Sequence, residues 1–587
     1  MKKNNAFRRA AALIAALSIT VSLAAPAFAD TYYIDYGDIT ITKNEDGSQT
    51  IEQGGDKWTD KAGEETVITT SNTVITTLES DLEGPAAEDS DFGPVVEDNY
   101  QSAQPEDAEE SEDADQPEIA EEPKSADRQE SADQQAAPAA APADTTPVNP
   151  KDDGFWGNTI TVINNIADKV LNLTLKDVKI DVSDTGDQYD WDQKGKAALS
   201  VQGKGNVEIE LDGDNELKSG TQSAGLEKNS TGKLTLKDDN NEAGSLTATG
   251  GFNSAGIGGG YLGDGKNITI TGGTVTATGG SSGAGIGGGR EGKGENITIT
   301  GGTVNATGNE DGAGIGGGSS GSGENITIND GKVTATGGSY AAGIGGGSVG
   351  AWGGDAGSGK NITINGGTVN ATGTDGGAGI GGGENGNGED ITINGGKVNA
   401  SGAYGGAGIG GGVNGIGSKV TVSGAAQVTA TATGSGPDWS GVGTGATIGN
   451  GGSKTPDGPV DGKEIQADIS HLTTGYIHHI IYNPDLDLDG KPDGILKEWW
   501  EFALPKPIPD GESLDLHVET LKGAPLLFNT RQQGSTLRVT TDNLSARLHG
   551  TRQALETLQE QGVEQIQFVT TLKTTTLSVE DLLAEGG

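Results

Sequence analysis

Ala255-Gly256-Ile257-Gly258-Gly259-Gly260 returns five more times along the chain, with its isoleucine at Ile286, Ile315, Ile344, Ile380 and Ile409. The successive steps are 29, 29, 29, 36 and 29 residues. A second motif, Asn-Ile-Thr-Ile, keeps the same step at Ile268, Ile297, Ile326 and Ile362, and again at Ile391 with Asp390 in place of asparagine. A third, Val-x-Ala-Thr or Val-x-Ala-Ser, follows at Val275, Val304, Val333, Val369 and Val398. Three motifs sharing one period, broken by a single seven-residue excess around Val349 to Gly357, imply stacked structural coils with one loop insertion.

Side-chain parity sets the geometry of such a coil. In Ile268-Thr269-Ile270 the two isoleucines share one face, as do Val275 and Ala277, with threonines opposite. Stacking places aliphatics in a common interior and polar residues in outward columns. One column runs Thr276, Asn305, Thr334, Asn370, Asn399, and another Thr278, Thr307, Thr336, Thr372, Ser401. About thirty residues suit three short strands and three turns, and glycine triplets suit corners where φ is positive or backbones approach closely. The expected fold is mainly β, a parallel β-helix over 151–456. Less regular coils flank it, from Leu171-Asn172-Leu173 upstream to Val428-Thr429-Ala430 downstream.

Outside that tract the composition changes. Residues 1–29 carry Lys2, Lys3, Arg8 and Arg9, an alanine-rich apolar run and Ala27-Phe28-Ala29, the order of a secretory signal peptide. The run falls short of the roughly 20 apolar residues of a spanning helix. The protein is therefore expected to be secreted, extracellular or associated with the cell surface, with no membrane insertion. Residues 30–78 hold short β-like runs. Residues 79–150 form an acidic segment, expected to be a disordered linker because it lacks the apolar residues that offset ordering entropy. That segment either separates the early strands from the main body or is a long excursion from a sheet that resumes after it. Residues 457–587 read as a small C-terminal α+β domain with a helix from Thr551 to Gln561.

The formal charge of −46 opposes nucleic acid and anionic lipid as partners, since both are polyanions. The absence of cysteine removes disulfides and thiolate chemistry. All five histidines lie beyond residue 470, and the neighbours His478 and His479 would face opposite ways in a strand. The loop Asp485-Leu486-Asp487-Leu488-Asp489-Gly490-Lys491-Pro492-Asp493 places acidic oxygens at alternate positions before a glycine turn, a pattern that wraps calcium, with the Lys491 carbonyl as an extra ligand. Leu496 stands where an EF-hand has its glutamate.

The run Val207-Glu208-Ile209-Glu210-Leu211, then Ser223-Ala224-Gly225-Leu226, Gly244-Ser245-Leu246-Thr247-Ala248 and the repeated Ala-Gly-Ile-Gly-Gly-Gly resembles secreted bacterial carbohydrate-binding domain-containing proteins. That resemblance implies a right-handed parallel β-helix of the polysaccharide-lyase-like type and a polysaccharide or glycan as partner. Sugar rings pack on aromatic faces, and the coils offer Tyr261, Tyr340, Trp352 and Tyr404 beside the corners or in the insertion. Trp499 and Trp500 are assigned to a core or domain interface. The expected protein is a monomeric, non-catalytic carbohydrate-binding or adhesive module. Two alternatives stand beside it: a polysaccharide-active enzyme using acids such as Asp190 and Asp192 beside Trp191, and a structural stalk displaying the C-terminal domain.

Overall fold

The computed structural model describes residues 30–63, 65–70, 154–190, 192–240, 242–349, 355–434, 441–484, 494–502, 516–526, 528–541 and 543–585. The signal-peptide and acidic-linker expectations lie outside the described residues, as do Trp191, Trp352 and the acidic loop Asp485 to Asp493.

Each regular coil has three strands, for example Gly265–Ile270, Thr274–Thr278 and the two-residue Ile286–Gly287. Each pairs in parallel with its counterpart one coil on: Ile268 with Ile297, Val275 with Val304, Ile286 with Ile315. The chain is a parallel β-helix, and its three strand columns form three long parallel faces. The seven extra residues do not disturb the register, because Ile326 still meets Ile362, Val333 meets Val369 and Ile344 meets Ile380. A one-residue slip would turn every isoleucine to solvent, so like stays on like. Ile268, Ile270, Val275, Ala277 and Ile286 are fully buried, and the same holds at their repeats. Burying each large aliphatic contributes roughly 1.5–3 kcal/mol.

The asparagine before each Ile-Thr-Ile is set by the backbone. Asn267, Asn296, Asn325 and Asn361 have φ of 58°, 57°, 56° and 53°, the left-handed region that asparagine tolerates better than most residues. Their amides form a ladder, with Asn296, Asn325 and Asn361 Nδ2 each donating to the asparagine Oδ1 one coil below at 3.0, 3.2 and 3.1 Å, and Asn267 Nδ2 donating to the Thr231 carbonyl at its foot. Asn325→Ala therefore removes two ladder bonds and puts a Cβ-bearing residue without a helping amide at positive φ. We expect a loss of about 2 kcal/mol in denaturant unfolding, about 1–2 of it from the backbone. Asn325→Gly restores the backbone part, so equal midpoints for the two variants would rule out this division.

The segment before the acidic tract belongs to the same helix. Asp30–Tyr33 pairs in parallel with Thr66–Thr69, which pairs with Val170–Lys176, and Ile39–Lys43 pairs with Ile160–Asn164. The acidic tract is thus an excursion from a continuing sheet. The antiparallel hairpin Gln49–Gln53 and Asp56–Asp60 joins Ile39–Lys43 at this end. Its Ile51 is buried, and Trp58 packs against Tyr32 with ring centroids 5.7 Å apart, so the first coil's apolar interior is covered.

At the other end the helix runs past the boundary expected at residue 457. Tyr476–Tyr482 pairs in parallel with Gln427–Thr433, placing Ile477 beside Val428 in the valine column, and Ile495–Phe502 returns antiparallel along it. Aromatic and charged residues obscured this rung, since it keeps the inward parity but none of the repeated motifs. A second, smaller core follows within 516–585, built from Val518, Leu537, Val539, Leu558, Val563, Ile566 and Val579. It includes the helix Arg552–Glu560, capped by Thr551 Oγ1 accepting from Ala554 N at 3.2 Å, and a four-stranded sheet.

Candidate ligand-binding face

The face built from Thr274–Thr278 and its repeats presents three polar columns. The central one runs Thr276, Asn305, Thr334, Asn370, Asn399, Thr429 and then His478. Beside it run Thr278, Thr307, Thr336, Thr372, Ser401 and Thr431, and, on the other side, Thr274, Thr303, Lys332, Thr368, Lys397, Gln427 and Tyr476. Asn399 Nδ2 donates to Asn370 Oδ1 at 2.8 Å, aligning amides along the column. Hydroxyls, amides and two lysines therefore stand on a flat surface with a rung spacing of about 4.8 Å.

This face ends in a cluster of aromatic rings. The antiparallel pairing sets Trp500 opposite His478, with the rings stacked at 3.7 Å and 5°. Tyr476 meets Trp500 edge-on at 5.1 Å, and Phe502 lies 5.9 Å from Trp500 at 18°. His478 is held by Glu498 Oε1 at 2.6 Å, while the Arg531 guanidinium sits 3.1 Å from the Phe502 centroid. Trp500 remains 42% exposed, which corrects its assignment to a core or interface. Strand alternation sends adjacent tryptophans to opposite faces: Trp499 stacks on His479 at 4.5 Å instead.

The corner tyrosines do not gather into one site. Tyr261, Tyr340 and Tyr404 are each half-buried and belong to different coils; Tyr340 and Tyr404 occupy positive φ at 65° and 46°. Tyr261 and Tyr340 border a seam where two corners touch. The residue four places after each corner isoleucine donates its N–H to the carbonyl of the residue four places before the preceding one. Arg290 donates to Asn253, Ser319 to Ser282, Ser348 to Asp311 and Glu384 to Tyr340, at 2.7–3.0 Å. Burial raises the carboxyl pKa of Asp311 and of Glu384. The side-chain atoms Ser348 Oγ and Asn253 Nδ2 are buried without a hydrogen-bond partner.

A third polar group closes the last coils. Thr447 stands where earlier coils have glycine before the corner isoleucine, and His479 falls in the inward alanine column beside Ala430. Thr447 Oγ1 lies 2.6 Å from His479 Nδ1, and Glu464 accepts from the backbone N–H of Thr447 and Ile448 at 2.7 and 3.1 Å. His479 Nε2 is 3.5 Å from Glu501. Burial, with His478 and Lys497 nearby, pushes His479 down to about 4. Burial likewise raises Glu464 and Glu501. Thr447 is fully buried, so this threonine–histidine–glutamate arrangement terminates the interior and offers no nucleophile to a substrate.

Asp190 binds Gln193 Nε2 at 2.7 Å and the Asp192 N–H at 3.1 Å, occupying its carboxylate in a local turn. Among the described residues no group of three or more His, Asp or Glu side chains is placed to hold a metal ion, and no helix is long and apolar enough to cross a membrane.

Six stretches, 242–261, 268–290, 297–319, 326–348, 362–384 and 391–413, match the family described as Beta helix repeat. This tract is a run of beta helix repeats. Each matched stretch ends shortly after the Ile-Gly-Gly-Gly corner, so the beta helix repeats supply the polar columns and the seam. The aromatic hairpin lies beyond the last of them. No curated protein and no solved structure matches the sequence.

Proposed function

We propose that this β-helix is a secreted, non-catalytic carbohydrate-binding or adhesive protein that holds a polysaccharide along its polar face and anchors it on Trp500. The exposed indole in register with the hydroxyl and amide columns carries this reading. A pyranose presents an apolar C–H face and equatorial hydroxyls; the first packs on a flat ring and the second bind an array of Thr, Asn and Lys groups. The net charge of −46 fits a neutral glycan better than a polyanion.

Retention of the full chain on insoluble polysaccharides, followed by elution with soluble fragments, tests the proposal. Trp500→Ala is expected to weaken retention at least tenfold, about 1.4 kcal/mol, while Trp500→Phe keeps part of it. Equal retention of Trp500→Ala and the parent would remove the anchor. Release of reducing or unsaturated sugars during incubation would overturn the non-catalytic assignment.

A further inference from the structure

The seam between the glycine corners carries its own chemistry at two adjacent rungs. In one, Ser348 donates its N–H to the Asp311 carbonyl at 2.8 Å; in the next, Glu384 donates to the Tyr340 carbonyl at 2.7 Å. Glu384 therefore follows Ser348 in one column and Tyr340 follows Asp311 in the other. The Asp311 carboxylate lies near enough to that of Glu384 for its charge to act on it. Ser348 is 0% exposed and its Oγ has no partner. Among the described residues the carboxylates of Asp311 and Glu384 have no hydrogen-bond or ion-pair partner either.

We infer that Asp311, Glu384 and Ser348 Oγ form a binding site for a hard divalent cation such as calcium, spanning three consecutive coils at the corner seam. The donors are all oxygen, as such an ion requires, and water and backbone carbonyls complete its shell. Two half-buried carboxylates repel each other and lose hydration; a cation between them relieves both penalties. Arg290 opposes the negative potential at Asp311, but it stands two rungs away and Glu310 adds to that potential. The orphaned serine hydroxyl gives the site a neutral third donor already out of water.

Terbium replaces calcium and emits when a nearby aromatic ring is excited, and Tyr340 borders this site. Titrating the full chain with terbium under aromatic excitation is expected to give emission that calcium displaces. The double variant Asp311→Asn, Glu384→Gln should weaken terbium binding at least tenfold, whereas Asp487→Ala, which removes an oxygen from the separate acidic loop, should leave this component intact. Should the double variant fail to fold, Ser348→Ala decides the matter, with severalfold weaker binding expected. Unchanged affinity in the folded double variant or in Ser348→Ala, loss of all displaceable emission in Asp487→Ala, or none in the parent would overturn the site.

Discussion

Gly316→Val is expected to prevent the β-helix from assembling, with a loss of more than about 4 kcal/mol. Gly316 adopts φ of 140°, a conformation L side chains rarely reach, and a Cβ there would lie 1.9 Å from the carbonyl oxygen of Gly345 in the next coil. Nothing flexible can give way, because the obstructing atom is backbone that pairs Gly316 to Gly345. The same overlap recurs at Gly258, Gly287, Gly345, Gly381 and Gly410, each within 2.1 Å of the next coil's carbonyl. A bend in one coil therefore has no slack to absorb it in its neighbours. Far-ultraviolet circular dichroism and a urea titration check the outcome, with Gly157→Ala as the control, since a Cβ at Gly157 meets nothing within 4 Å. A Gly316→Val protein with the parent's urea midpoint would refute the account of the corners.

The second large effect concerns acid. His479 has a folded pKa near 4 against an unfolded value of 6.5. The unfolded chain therefore takes up a proton that the folded chain refuses, and stability falls as pH drops from about 6.5 to about 4. The full difference amounts to about 3 kcal/mol. Glu464 and Glu501 act in the opposite sense: their raised folded pKa values add stability at low pH that disappears as pH rises through those values. Comparing the parent with His479→Gln separates the histidine from the glutamates. The parent's stability minus the variant's should decline steadily between pH 6.5 and pH 4, measured by urea unfolding at each pH. A difference independent of pH would show that His479 accepts its proton in the folded state.

Much of the fold was legible because the chain says the same thing six times. Ile268, Val275 and Ile286 repeat at one spacing, and parity alone turned them inward. The candidate sites follow another logic. Ser348 and Asp311 touch although 37 residues separate them, and the side chains in their columns change along the coils without a repeated motif, so repetition gives no signal of the contact. The aromatic cluster assembles from Tyr476, His478, Trp500 and Phe502 across an antiparallel turn in an aperiodic segment. Only the alternation of Trp499 and Trp500 could have shown that one ring faces out. The boundary at 457 was missed for a related reason: His479 occupies an alanine position, and a buried histidine in an apolar column looks from sequence like a break. The asparagine of Asn-Ile-Thr-Ile was seen as part of a repeated motif, but its left-handed backbone was not, since φ leaves no periodic trace.

The identity of the coils carries a cost for folding. A strand such as Gly294–Ile299 offers its neighbours nearly the same edge as Gly323–Ile328, so a partner displaced by one whole repeat would satisfy the same bonds and bury the same isoleucines. Local chemistry cannot choose between these arrangements. What breaks the degeneracy is found where copies differ: Trp58 and Ile51 at one extremity, Thr447 and His479 at the other, and the single 36-residue step between them. Assembly that starts from a distinctive extremity and adds coils in order avoids the skipped-repeat traps that starting in the middle would allow.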